Sequence, residues 1–368
     1  MSPVERKVVL ALQGGGALGS YQAGVFEALE QADMVPEWIA AVSIGAINGS
    51  LIAGNPPGRR VERLRAFWQK ITEPTWFWPH VAGGPLAGLE RTAGAAAAVL
   101  FGQPGFFRPR PPTEWFAQPP PVSYYDTGAL RSTLEALVDF DRLKPGGAVR
   151  LTVGATQIET GRMTHFDSAQ QQLGPEHVMA SGALPPGLAV VEVAGAPYWD
   201  GGLVSNTPLQ YVIHQALPHD TLVFQVDLFP AQGPRPRNLD EVNEREKDIR
   251  YSSRTRAGTQ AAEERQNFRR QLRQFLDRLP PDLLADPVAQ HLRSAASQGR
   301  IDVAHLIYRP AVPQGWEKDF QFDRNTMEQR WAQGFGDARA MLAKAPWQTP
   351  APPDVGLRTF DGPDDSAG

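Results

Sequence analysis

A short apolar strand that runs into three consecutive glycines constrains this chain more than any other feature. Val8-Val9-Leu10-Ala11-Leu12-Gln13 leads into Gly14-Gly15-Gly16-Ala17-Leu18-Gly19, and a second apolar stretch ends in Ala41-Val42-Ser43-Ile44-Gly45-Ala46. In both places, residues suited to a buried strand give way to a turn and then to helix-compatible sequence. The pattern predicts strands over 7–12 and 38–42. It predicts helices over 19–31 and from Ser43 to Gly54, where Asn55-Pro56-Pro57-Gly58 ends the second. Strand–helix–strand–helix at this spacing implies a parallel sheet with crossover helices.

Further along, an amphipathic helix is expected over 59–71. Residues 74–121 are rich in proline, glycine and aromatics, among them Trp76, Phe77, Trp78, Phe106 and Phe107. Two readings stand for such a segment: a covering layer whose aromatics pack on the core, or a lid that contacts substrate. A helix over 127–138 and a hairpin of 149–158 with 162–167 follow. Next come a strand at 190–193, a turn at Trp199-Asp200-Gly201-Gly202 and a helix starting near Asn206-Thr207-Pro208. After a core strand at 222–228, the chain becomes charged and helical from Asp240, with a break expected near Gly258. A strand at 303–308 and a helix over 323–344 complete the pattern. The stretch from Pro346, rich in Pro, Gly and Asp, reads as disordered. The expected division is therefore 1–230, with an insertion at 74–121, then a mostly helical extension at 231–345 and a tail at 346–368.

With 368 residues, 42% of them hydrophobic, the chain can bury one large core or two smaller ones. Its formal charge of −4 argues against nucleic acid as a partner. It has no cysteine, which excludes disulfides, thiol nucleophiles and cysteine-based zinc sites. No metal or cofactor is expected. No apolar run approaches the ~20 residues a membrane span needs. The N-terminal residues carry no secretory pattern, so a cytoplasmic protein with peripheral membrane contact is expected.

A serine on a tight strand-to-helix turn is an exposed nucleophile, and Ser43 stands on such a turn. The usual surround is G-x-S-x-G; here Ala41 takes the first position, keeping small volume with less backbone freedom. No histidine sits in an obvious glycine-flanked loop after a strand. His177 reads as a solvated loop residue and His214 as structural. Asp200 is better placed, at a strand end and followed by two glycines, and a desolvated aspartate gains basicity. Gly14, Gly15 and Gly16, with the Ile44 N–H, are candidate donors to an oxyanion. Gly14, Gly16 and Gly19 also satisfy G-x-G-x-x-G, the dinucleotide fingerprint, but the second strand ends in Val42-Ser43 without the acidic residue that holds a ribose.

Taken in order, Gln13-Gly14-Gly15-Gly16-Ala17-Leu18-Gly19, Val42-Ser43-Ile44-Gly45-Ala46 and Asp200-Gly201-Gly202 resemble the patatin-like phospholipase family, and Ala180 to Pro185 resembles its block ahead of the aspartate. The resemblance spans roughly 6–228 and implies a three-layer α/β/α fold with a mostly parallel sheet. It also implies a Ser–Asp dyad of Ser43 and Asp200, an oxyanion loop at Gly14, Gly15 and Gly16, and metal-free hydrolysis of lipid esters. The region beyond Pro234 is similar to an extension found in a bacterial subset of that family. Ala41, Leu18 (where many members carry Arg or Lys) and Gln13 (where some carry Asp) depart from the pattern and bear on rate and head-group preference. Two other readings stay open: a non-catalytic lipid-binding or scaffold protein, and a dinucleotide-binding oxidoreductase.

Overall fold

The computed structural model describes residues 6–73, 102–215, 217, 219–296, 299–311, 313–352 and 354–362, with backbone alone for 253–260. The strands are β1 (Lys7–Leu12), β2 (Trp38–Val42), β3 (Arg108–Pro109), β4 (Tyr125–Asp126), β5 (Arg150–Gln157), β6 (Met163–Asp167), β7 (Val191–Val193), β8 (Ala196–Asp200), β9 (Thr221–Asp227), β10 (Ile301–Ile307) and β11 (Leu357–Asp361). The helices are α1 (Gly19–Gln31), α2 (Ile44–Ala53), α3 (Arg60–Ile71), α4 (Gly128–Leu137), α5 (Pro175–Ser181), α6 (Leu209–His214), α7 (Leu239–Leu276), α8 (Pro281–Leu284), α9 (Pro287–Ala295) and α10 (Arg324–Lys344).

One sheet organises the molecule, in the order β11-β10-β9-β1-β2-β5-β8-β7, with β6 also paired to β5. From β11 to β5 every neighbour is parallel, as crossover helices require; β6, β8 and β7 add antiparallel pairs. The period-two alternation of β1 divides the core. Leu10 and Leu12 face the layer of α1, α2 and α10, and Val9 and Ala11 face the layer that holds α6. Near-total burial of both sets makes this an α/β/α three-layer fold.

The expected division at residue 230 does not follow the sheet. Strands β10 and β11 lie beyond it yet extend the same sheet through β9, and α10 packs on α1. A Cβ on Gly24 would lie 2.0 Å from the Trp331 carbonyl oxygen, and one on Gly334 would lie 2.1 Å from that of Tyr21, so this close crossing needs both glycines. The described part of the presumed disordered tail is also ordered: Leu357–Asp361 pairs with β10 in register with Ile301–His305. His305 fastens this edge, its Nε2 2.8 Å from Asp227 Oδ2 and its Nδ1 3.1 Å from Asp361 Oδ1. Burial pulls the imidazole pKa down, but the two carboxylates outweigh it and hold it at about 9.

Helix α7 is likewise unbroken. Its 38 residues run through Gly258, because one interior glycine costs only about 1 kcal/mol. Asn238 caps its start by accepting from the Glu241 N–H at 2.9 Å. In the insertion, Trp76, Phe77 and Trp78 lie outside the described residues. Phe106 and Phe107 are buried, their rings packed on each other and on Phe322.

Candidate active site

The register of β5 brings the serine and the aspartate together. Strand β2 runs along one edge of β5 and stops with Val42 opposite Gly154. Strand β8 takes over the same edge in the opposite direction, with Asp200 opposite Ala155. Ser43 and Asp200 thus leave two strand ends that abut on consecutive residues of a third. The join needs close backbone approach, since a Cβ on Gly201 would lie 2.4 Å from the Gly154 carbonyl oxygen. Asp200 is pinned by its N–H donating to the Ala183 carbonyl at 2.9 Å and by its carbonyl accepting from Thr156 Oγ1 at 2.9 Å.

Ser43 adopts φ 57° and ψ −125°, a conformation costly for a residue with a Cβ, at about 1–3 kcal/mol. The surroundings over-determine it. Its N–H donates to Ser181 Oγ at 2.9 Å, and that hydroxyl donates to the Gly154 carbonyl at 2.6 Å. At Gly45 a Cβ would lie 2.5 Å from the Leu12 carbonyl oxygen, so the turn can pack on β1 only with glycine there. Ala41 is accommodated because it faces Gly49 across the strand–helix contact, and the elbow keeps its shape without the usual first glycine.

From this elbow Ser43 Oγ donates to Asp200 Oδ2 at 2.6 Å, and the Gly202 N–H donates to Asp200 Oδ1 at 2.7 Å. Asp200 is 3% exposed. Burial pushes its pKa up to about 6, against the lowering effect of its two hydrogen bonds. An aspartate so placed is a much stronger base than one in water, and it remains ionised at neutral pH.

The glycine loop divides its duties. Gly14, expected as an oxyanion donor, has its N–H committed to Asn206 Oδ1 at 3.1 Å, while Asn206 Nδ2 donates back to the Gly14 carbonyl at 3.0 Å. The N–H groups of Gly15, Gly16 and Ile44 have no hydrogen-bond partner among the described residues. Gly16 is left-handed at φ 54°, and a Cβ there would lie 2.3 Å from the Asp319 carbonyl oxygen. Gln13 is fully buried. Its Oε1 accepts from the Leu228 N–H at 2.6 Å, tying the loop to the end of β9. Leu18 is also fully buried, and neither it nor Gln13 lines the cavity, so neither departure from the family pattern touches a substrate there.

A cavity of about 220 Å³ opens beside Ser43 and Asp200. Its walls include Phe106, Phe107, Tyr125, Leu184, Phe320 and Phe322. Phe106 and Phe107 are therefore buried wall residues, with no exposed lid face of their own. Asn206 and Ser181 are positioning residues that sequence reasoning missed; the only signal was polar side chains in otherwise apolar or glycine-rich blocks. Tyr251 was missed as well. It comes from α7, stacks on Phe229 at 4.9 Å between centroids and reaches the cavity from the far end of the sequence. Among the described residues no histidine lines the site. His177 is a buried residue of α5 rather than a solvated loop residue, its Nδ1 accepting from the Gly174 N–H at 2.9 Å.

Residues 10–213 match the family model described as patatin-like phospholipase, more than half of the chain. The chain belongs to the patatin-like phospholipase family. Residues 249–354 match a second model, described as patatin phospholipase, so the extension carries a family signature of its own. No curated protein matches the sequence. Among solved structures the chain is similar to VipD from Legionella pneumophila, at 14% identity and TM-score 0.32, covering 91% of this chain and 67% of that one. It is also similar to the ExoU-SpcU complex of the type III secretion system of Pseudomonas aeruginosa, at 17% identity and TM-score 0.28, covering 80% of this patatin-like chain and 59% of that one. Membership makes this a protein of a lipid-hydrolase family, and the dinucleotide reading of the glycine run falls away.

Proposed function

We propose that this patatin-like protein is a serine acyl hydrolase of lipid esters that works through a Ser43–Asp200 dyad. The 2.6 Å hydrogen bond from Ser43 Oγ to a buried carboxylate carries this reading. Asp200 takes the hydroxyl proton as Oγ attacks the ester carbonyl, and the N–H groups of Gly15, Gly16 and Ile44 receive the oxyanion. The protonated Asp200 returns its proton to the departing alcohol. A water then attacks the acyl-serine, giving up its proton to Asp200, which passes it to Ser43 Oγ as the C–Oγ bond breaks and the fatty acid leaves.

The apolar cavity supports a fatty acyl group as the part of the substrate that is enclosed. Among the described residues, no Lys or Arg lines it. No helix among them is long and apolar enough to cross a membrane. Trp115, Phe116, Val122 and Tyr124 are exposed on the segment that supplies Phe106, Phe107 and Tyr125 to the cavity, which supports peripheral contact with a lipid surface.

A fluorophosphonate probe tests the nucleophile. The folded wild type is expected to label at one serine and Ser43→Ala not at all. Equal labelling of the variant, or an unlabelled wild type that binds vesicles without releasing fatty acid, would favour the scaffold reading. The base makes a second prediction. Because Asp200 must be ionised and its carboxyl titrates at about 6, kcat/KM is expected to rise about tenfold per pH unit below that value and level off above it. A profile flat between pH 5 and 7 would remove Asp200 as the base.

A further inference from the structure

The carboxy-terminal extension reaches the cavity through a short strap, residues 314–322, and buried ions hold that strap in place. Lys318 is fully buried. Its Nζ lies 2.6 Å from Asp248 Oδ1 and 3.2 Å from Glu244 Oε1, both on α7. Glu244 Oε2 also accepts from the Gly315 N–H at 3.0 Å. On the other side, Arg330 of α10, itself buried, donates to the Lys318 carbonyl at 2.9 Å and to Gln314 Oε1 at 3.0 Å. The strap is thus clamped between two helices of the extension, and its backbone near Lys318 cannot shift for a larger ligand without breaking ion pairs.

Three strap residues, Asp319, Phe320 and Phe322, line the cavity. The Asp319 carbonyl rests on Gly16 of the glycine loop. Phe322 sets its ring edge-on against Phe106 and Phe107, at 5.8 and 6.2 Å between centroids, closing the wall between strap and insertion. The cavity they border is about 220 Å³ and is partly open to solvent.

We propose that the strap is the chain-length gauge of this cavity: Phe320 and Phe322 narrow the space beside Ser43 so that esters of shorter acyl chains are preferred over those of longer ones. The proposal rests on the serine-hydrolase reading for its chemistry, and on the strap geometry for its selectivity.

The test uses the full chain with 4-nitrophenyl esters of four, eight, twelve and sixteen carbons, reading kcat and KM separately. The wild type is expected to favour eight carbons over sixteen by about tenfold or more in kcat/KM. Phe322→Leu should move the optimum to longer chains and Phe320→Trp to shorter ones, with thermal unfolding confirming that each folds. A wild type indifferent to chain length, or an optimum that neither variant moves, overturns the gauge. Calorimetric binding of monooctanoylglycerol and monopalmitoylglycerol to Ser43→Ala separates the two readings. Lack of any turnover by the wild type alongside a retained preference for the shorter chain removes the hydrolase and keeps the gauge, whereas equal binding of both removes the gauge.

Discussion

Asp200→Asn is expected to abolish ester hydrolysis and at the same time to make the fold more stable at neutral pH. The catalytic half follows from chemistry. An amide cannot take the Ser43 proton, and loss of a positioned general base costs about 10²–10⁴ in rate. The stability half follows from linkage. Burial raises the Asp200 carboxyl from the ordinary 3.8 to about 6 in the folded chain. A pKa raised on folding contributes stability that is complete below the unfolded value and is lost as pH rises through the folded one. Above about 6 the ionised carboxylate therefore weighs on the fold, by about 3 kcal/mol for a difference of that size. Asparagine avoids this cost and can still accept from the Gly202 N–H. Melting temperatures at pH 4.5 and pH 8 check the prediction. The variant should exceed wild type by several degrees at pH 8, with the gap narrowing at pH 4.5. A variant that keeps full turnover, or one less stable at pH 8, would contradict the role assigned to this carboxylate.

Lys318→Met should be among the most destabilising single changes outside the dyad. Methionine keeps the length and apolar body of lysine but leaves Glu244 and Asp248 without the ammonium that bonds both, and both are at least nine-tenths buried. Removing one partner of a buried ion pair costs about 3–5 kcal/mol, chiefly through the charge left behind. Burial already holds the Asp248 carboxyl above its usual range even with Lys318 present, so little attraction remains to offset that charge. The urea midpoint of Lys318→Met should fall accordingly. Adding Glu244→Gln and Asp248→Asn to the same chain should restore most of the loss, because the triple variant buries no unpaired charge. No recovery in the triple variant would mean that the lysine stem, and not its charge, holds the strap.

Most elements of the amino-terminal half, and the two residues proposed as the dyad, were legible in the order of residues. Strands β1 and β2 and helix α1 coincide with the apolar runs and glycine punctuation that predict them. Ser43 and Asp200 stand out because each ends a strand beside small residues, where a side chain can project without steric cost. The errors share one cause. Gly258 reads as a helix break because glycine weakens a helix locally, yet α7 spans it; the stretch after Pro346 reads as disordered because its composition is poor in apolar residues, yet β11 finds a ready edge on β10. Gly14 counts as a donor in a linear motif, although Asn206, 192 positions away, has claimed its N–H.

Local physics, carried by the side chains themselves, sufficed to name the strand–turn–helix units, a family and the two residues proposed as nucleophile and base. Which backbone donors stay free, and which side chains wall the cavity, could not be read that way. These depend on contacts between residues hundreds of positions apart: the abutting ends of β2 and β8 on β5, the Asn206 clamp on Gly14, and the Lys318 strap over Gly16. A linear pattern records the capacity of a group to bond, whereas partnership requires proximity, and in this chain proximity is created only when the nine-stranded sheet closes its register.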